Sequence, residues 1–104
     1  MPRSADHLLL PTDVQPTGAF GRAVVARRDA LDITQETLAA RAGLSRKYLS
    51  DVENGKRNLS FYGIQRIAAG LEMMPGALVT AADELYLEES PWLAEAVCRG
   101  SVEP

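Results

Sequence analysis

From Gln35 to Asn54 the chain reads QETLAARAGLSRKYLSDVEN. Two short amphipathic runs flank a glycine, and this interruption constrains the fold more than any other feature of the 104 residues. Gly43 suits a left-handed turn, which glycine adopts at little steric cost. Thr34 precedes the first run and Ser45 the second. Each hydroxyl can accept a first-turn amide proton, so the pattern predicts helices over about 35–42 and 46–53. Helices joined so closely must cross steeply. Ala39, in the middle of the first, keeps the contact small, and Leu38, Leu44, Leu49 and Val52 fill the wedge. With these four inward, Arg46, Lys47 and Ser50 face outward from the second helix.

The flanking sequence supplies a scaffold. Phe20, Val24 and Leu31, with Ala23 and the Arg27 stem, recur at helical spacing and predict a helix over about 18–31. Asn54-Gly55 is a strong turn dipeptide, and Lys56-Arg57-Asn58 form a basic loop. Ser60 caps a helix over about 61–69, closed by Gly70, with Ile64, Ile67, Ala68 and Leu71 as its apolar face. Pro75 suits the first turn of a helix over about 75–82. Ser90-Pro91 opens a last segment, Trp92–Cys98. No strand signal or internal repeat is visible. The expected fold is all-α, with five helices and an extra C-terminal helical segment. Residues 1–16 hold three prolines and are expected to form a flexible N-terminal arm, with Leu8, Leu9 and Leu10 docking on the domain or on a second subunit. Residues 17–82 form the domain, and 83–104 an acidic C-terminal segment.

Two short helices crossing about a glycine turn make a helix-turn-helix, which places its second helix in the major groove of DNA. The outward residues suit that placement, because Arg46 and Lys47 can reach guanine O6 and N7, and Ser50 several groups. A net charge of −3 is unexpected for a DNA binder. The charge, however, is segregated. Residues 18–70 carry Arg22, Arg27, Arg28, Arg41, Arg46, Lys47, Lys56, Arg57 and Arg66 against five acids, a balance of +4. Residues 71–104 carry Arg99 against seven acids, a balance of −6. A basic middle can face phosphates while the acidic end faces solvent or a partner.

At the level of residues 35–54, extended to Leu71, the chain resembles the phage repressor/Cro-type (Xre-like) helix-turn-helix family. The resemblance covers about 18–79 and is densest in ITQETLAARAGLSRKYLSDVENGKRN. The tract YLSDVENGKRNLSFYGIQRIAAGLEM also resembles the controller proteins of restriction–modification systems, small stand-alone members that bind their own promoter. The resemblance implies a compact five-helix, repressor-like domain, usually dimeric on a pseudo-palindromic operator of double-stranded DNA. Half-sites would then lie about one turn apart, roughly 34 Å or 10 base pairs.

Carried over residue by residue, it also implies roles. Arg46, Lys47 and Ser50 read bases. Asp51 departs from expectation, because an acid on the groove face repels phosphate. It either accepts from a cytosine amino group or pairs with Lys47 one turn earlier, the favoured reading. Gln35 contacts a phosphate from the start of its helix, or is a plain helix-start residue. Ser45, Asn54, Lys56, Arg57 and Asn58 are candidates for backbone contacts, with a solvated turn as the alternative for the loop. Arg57 could instead enter the minor groove. Tyr48 either swings out to the DNA or packs on the scaffold. Arg28 and Glu53 match a family pair, implying a partly buried salt bridge that locks the recognition helix to the scaffold.

An enzyme is not expected. His7, the single histidine, lies in the proline-bounded arm, so a nucleophile would have no well-held base. There is no phosphate-cradling glycine loop, and Gly18, Gly21 and Gly43 are read as helix-start and turn glycines. Neither metal nor cofactor is expected. A single cysteine, Cys98, excludes an internal disulfide; it is a buried thiol or, less favoured, a redox switch. No membrane span or signal peptide is visible, so the expected location is cytoplasmic. Leu85, Tyr86, Trp92, Leu93 and Val97 make the acidic end apolar. They are expected to form a homodimer seam or, as the rival, to clamp a second protein, as in an antitoxin.

Overall fold

A computed structural model describes residues 16–90. They form five helices: α1 Pro16–Ala30, α2 Gln35–Ala42, α3 Arg46–Glu53, α4 Phe61–Gly70 and α5 Pro75–Glu89. No strand occurs among the described residues. Residues 1–15 of the expected arm (1–16) and the segment Trp92–Cys98 lie outside them, while Pro16, assigned to the arm, belongs to α1.

Local chemistry sets most of the boundaries. The Thr34, Ser45 and Ser60 hydroxyls accept from the amides of Thr37, Tyr48 and Gly63 at 3.0, 3.0 and 3.1 Å. Each satisfies one first-turn donor that the helix itself leaves unpaired. Gly43 ends α2 at φ 71°. Pro16 is already the first residue of α1, two residues before the expected start, because proline fits the first helical position.

Two expectations change, and a third gains a packing role. The helix predicted over 75–82 runs unbroken to Glu89, so the boundary expected at residue 82 falls inside α5. Nothing in Asp83–Glu89 breaks a helix; the stop comes at Ser90, which Pro91 pushes out of helical geometry. Gly70 closes α4 as expected, but as its last helical residue and not in a left-handed turn, and it is buried against α2. A Cβ there would lie 2.8 Å from Leu38 Cδ1, and the left-handed residue is Glu72, at φ 60°. Gly21, by contrast, is no helix-start glycine. It sits in the middle of α1 where the end of α3 crosses, and a Cβ would lie 2.5 Å from the carbonyl oxygens of Val52 and Glu53.

The core is one cluster. Val24 from α1, Leu38 from α2, Leu49 and Val52 from α3, Ile67 from α4, Leu71 and Leu78 are all buried. Burying a side chain of this size contributes about 1.5–3 kcal/mol, so these few residues dominate the hydrophobic term. Alanines 19, 23, 39, 42 and 68 let the helices approach. α5 packs along α1, and α2 lies against α3 and α4. No helix of the described residues is long and apolar enough to cross a membrane.

The close approach at Gly21 yields a test. Gly21→Ala forces α1 and α3 apart and should cost about 1–3 kcal/mol, the range for overpacked sites. Gly76→Ala, where an added Cβ meets nothing within 4 Å, should leave stability unchanged or slightly raised. Calorimetry of both variants decides; equal melting temperatures would contradict the packing described.

Candidate nucleic-acid interface

The outer face of α3 begins at its cap. With Ser45 fixed, Leu49 and Val52 turn into the core, which turns Arg46, Lys47, Ser50 and Asp51 outward. These four and Gln35, from the start of α2, line one open concavity. Base-reading candidates from one helix therefore share a surface with the phosphate candidate from another.

Glu53 holds this face in place. Its side chain is only 5% exposed, and that of Arg28 16%. Arg28 Nε and Nη2 donate to the two Glu53 oxygens at 2.8 and 3.2 Å, and Nη1 donates to the Ile33 carbonyl at 3.0 Å. Gln35 Nε2 donates to Glu53 Oε1 at 2.7 Å. Because the carboxylate only accepts, the Gln35 amide is oriented with its nitrogen toward Glu53. One carboxylate thus ties α1, the α1–α2 connection and the start of α2 to the end of the recognition helix. The Glu53 bond raises the Arg28 pKa above its ordinary, already high value. The stability this contributes is present at every pH below that range, so the cation persists wherever the fold does.

The other candidates divide by what already occupies them. Ser45 Oγ accepts from the Tyr48 amide, and Asn54 Nδ2 donates to the Ser50 carbonyl at 2.9 Å. Both shape the ends of α3 while remaining at the surface. Tyr48 is half-buried against the core, and the Arg57 guanidinium lies 4.8 Å from its ring centroid. Asp51 lies 3.6 Å from Lys47 Nζ and 3.7 Å from Arg57 Nη2. Arg46 and Lys56 are exposed and have no ion-pair partner among the described residues, and Asn58, in the same loop as Lys56, is exposed too.

Several basic residues of the middle region do not face this surface. Arg27 Nε donates to the Leu71 carbonyl at 3.0 Å, Arg66 Nε to that of Ala42 at 2.7 Å and Arg41 Nη1 to that of Gly70 at 3.3 Å. Each places a cation on the free carbonyls that end a helix, where positive charge is favoured. Arg22 pairs with Glu89, joining α1 to the far end of α5. Sequence reasoning missed these roles. The signal was their position, one helix end away from an unsatisfied turn, but it needs the tertiary arrangement to be legible.

The residues expected at a dimer or partner seam divide too. Leu85 packs against the core, and the Tyr86 hydroxyl is buried without a hydrogen-bond partner among the described residues. Burial pushes the Tyr86 phenol pKa up. Because α5 continues to Glu89, Leu85 faces α1 instead of standing free. Trp92, Leu93 and Val97 lie outside the described residues. Large apolar side chains are exposed elsewhere, at Phe61 and Tyr62 on α4 and Met74 and Val79 at α5.

A helix-turn-helix family model matches residues 25–73, the tract that contains α2 and α3. The restriction–modification controller protein C.AhdI from Aeromonas hydrophila is 39% identical, with a TM-score of 0.58 covering 60% of this chain and 94% of that one. The chain belongs to the helix-turn-helix family. It is a DNA-binding transcriptional regulator of that family. Control protein C.MunI of a Mycoplasma species is 47% identical over 45 residues, 43% of this chain. The match spans 61% of that relative's length. The controller protein C.Esp1396I, solved as a tetramer in complex with its natural 35-base-pair operator, is 26% identical with a TM-score of 0.64, covering 69% of this chain and 95% of that one.

The Glu53 network also yields a test. Glu53→Gln keeps the shape but leaves the Arg28 guanidinium without its counter-charge. Loss of one partner of a buried pair costs about 3–5 kcal/mol, and the residual exposure of Arg28 favours the lower end. Urea unfolding should show the loss, and an unchanged midpoint would mean that the pair contributes nothing to holding α3.

Proposed function

We propose that this regulator binds a pseudo-palindromic operator as a homodimer and acts as a repressor or autoregulator of transcription, by binding and not by catalysis. The observation that carries the reading is the shared face of Gln35, Arg46, Lys47, Ser50 and Asp51, held rigid from behind by Arg28 and Glu53. A helix can discriminate bases only if its side chains arrive in a fixed register, and the caps and the buried ion pair supply that fixity. Arg46 is the candidate for a bidentate guanine contact. Lys56, Arg57 and Asn58, beyond the Gly55 turn, are the candidates for the adjoining backbone, where charge positions the protein without reading sequence. The controller protein C.Esp1396I, solved on its natural operator, supports the DNA-binding reading by kinship.

For the dimer, the exposed apolar side chains favour a surface different from the one expected. Phe61 is 66% exposed and Tyr62 63%, at the start of α4. Aromatic residues of this kind are enriched where subunits meet. Two identical domains joined there form a two-fold pair, and a two-fold pair requires a two-fold site.

The roles separate by binding measurements on an operator and a scrambled duplex of equal length. Arg46→Ala should lower operator affinity by about 1–3 kcal/mol and relax preference at one position, whereas Lys56→Ala should weaken both duplexes alike. If Arg46→Ala keeps the full ratio between the two duplexes, α3 is not the element that reads sequence.

A further inference from the structure

An acid on a DNA-facing helix calls for an explanation, because it repels the phosphates that supply most non-specific affinity. Asp51 projects from the second turn of α3 into the concavity with Arg46, Lys47 and Ser50. Its side chain is 20% exposed, far less than that of Lys47 at 84%. Two cations converge on the same oxygen, Asp51 Oδ2. Lys47 Nζ reaches it from one turn earlier at 3.6 Å, and Arg57 Nη2 from the loop beyond Gly55 at 3.7 Å. Arg57 is held a second time, 4.8 Å above the Tyr48 ring. The loop is held as well, since the Lys56 amide donates to the Asp51 carbonyl at 2.9 Å.

The geometry points to Asp51 as a positioning residue that sets the specificity of DNA binding by holding Lys47 and Arg57 and withholding them from arbitrary phosphates. This rests on the DNA-reading function proposed above. Each phosphate neutralised by a lysine or arginine releases counterions and steepens the salt dependence of binding by about 0.9. On a non-cognate duplex the backbone must compete with Asp51 for both cations, and the carboxylate itself is repelled. On the cognate duplex the base contacts of α3 are made as well, and Arg57 arrives already oriented by Asp51 and Tyr48. Asp51 therefore weakens non-specific binding more than specific binding. It touches DNA in neither case and acts through the two cations.

The test uses the full chain and its Asp51→Asn and Asp51→Glu variants. Each is titrated onto an operator duplex and a scrambled duplex of equal length between roughly 50 and 200 mM salt, after melting curves confirm that the variants fold. Asp51→Asn should bind the scrambled duplex roughly five- to tenfold more tightly near 0.1 M salt, with a salt slope steeper by about 0.9. Operator affinity should rise less, so that the ratio between the duplexes falls. Asp51→Glu, which keeps the charge, should keep the wild-type salt slope on scrambled DNA. A purely structural role would not move the salt slope. An Asp51→Asn variant with unchanged scrambled-DNA affinity and slope overturns the proposal. So does a variant that loses operator affinity with no gain on scrambled DNA, which would make Asp51 a direct reader of a cytosine amino group. If the wild-type chain binds both duplexes equally at every salt concentration, the DNA-reading function itself fails and the role of Asp51 falls with it.

Discussion

A carboxylate almost closed off from water holds the recognition helix of this protein. Glu53 is the last residue of α3, and its two oxygens take hydrogen bonds from Arg28 on α1 and Gln35 at the head of α2. Leaving such a charge unpaired costs several kcal/mol, so the three elements are constrained to one mutual arrangement. Gly21 makes that arrangement sterically possible by letting α1 touch the final carbonyls of α3. Thr17 Oγ1, bonded to the Gly55 carbonyl at 3.0 Å, extends the clamp past the turn. Electrostatics and close backbone approach thus act at the same end of one eight-residue helix.

Isolated helices this short are marginal in water, and neither α2 nor α3 would persist alone. Their stability comes from Leu38, Leu49 and Val52 in the core and from side chains that satisfy their ends. The arginines show how charge is apportioned. Arg27, Arg41 and Arg66 close helix C-termini within the scaffold, while Arg46, Lys47, Lys56 and Arg57 lie on or beside the outer face of α3. Net charge says little about such a protein; the position of each cation decides whether it faces a carbonyl or a phosphate.

The helix-turn-helix itself was legible from residues 34–54, because its determinants are local: hydroxyl caps at Thr34 and Ser45, a left-handed Gly43 and an inward leucine pattern. The outward set of Arg46, Lys47 and Ser50 follows from the same geometry. What was not legible depends on partners distant in sequence. Gly21 and Gly70 look like helix-start and stop signals, yet each marks a close approach to another helix, with the end of α3 and with Leu38. The acids of residues 83–89 suggested a separate segment, but α5 continues through them: Asp83, Glu84 and Glu88 are exposed, Glu89 pairs with Arg22, and Leu85 packs inward. Asp51 was open between a base contact and a lysine; its second cation, Arg57, comes from a loop whose path the sequence does not specify.

The central claim is that α3 reads DNA sequence in a two-fold setting. Selection of the full chain against a random pool of double-stranded DNA, followed by sequencing, tests it most directly. A dimer presenting two α3 helices enriches a symmetric site whose half-sites lie about one helical turn, roughly 10 base pairs, apart. Recovery of pools with no shared sequence at moderate salt would contradict it and leave the face of α3 without a sequence to read.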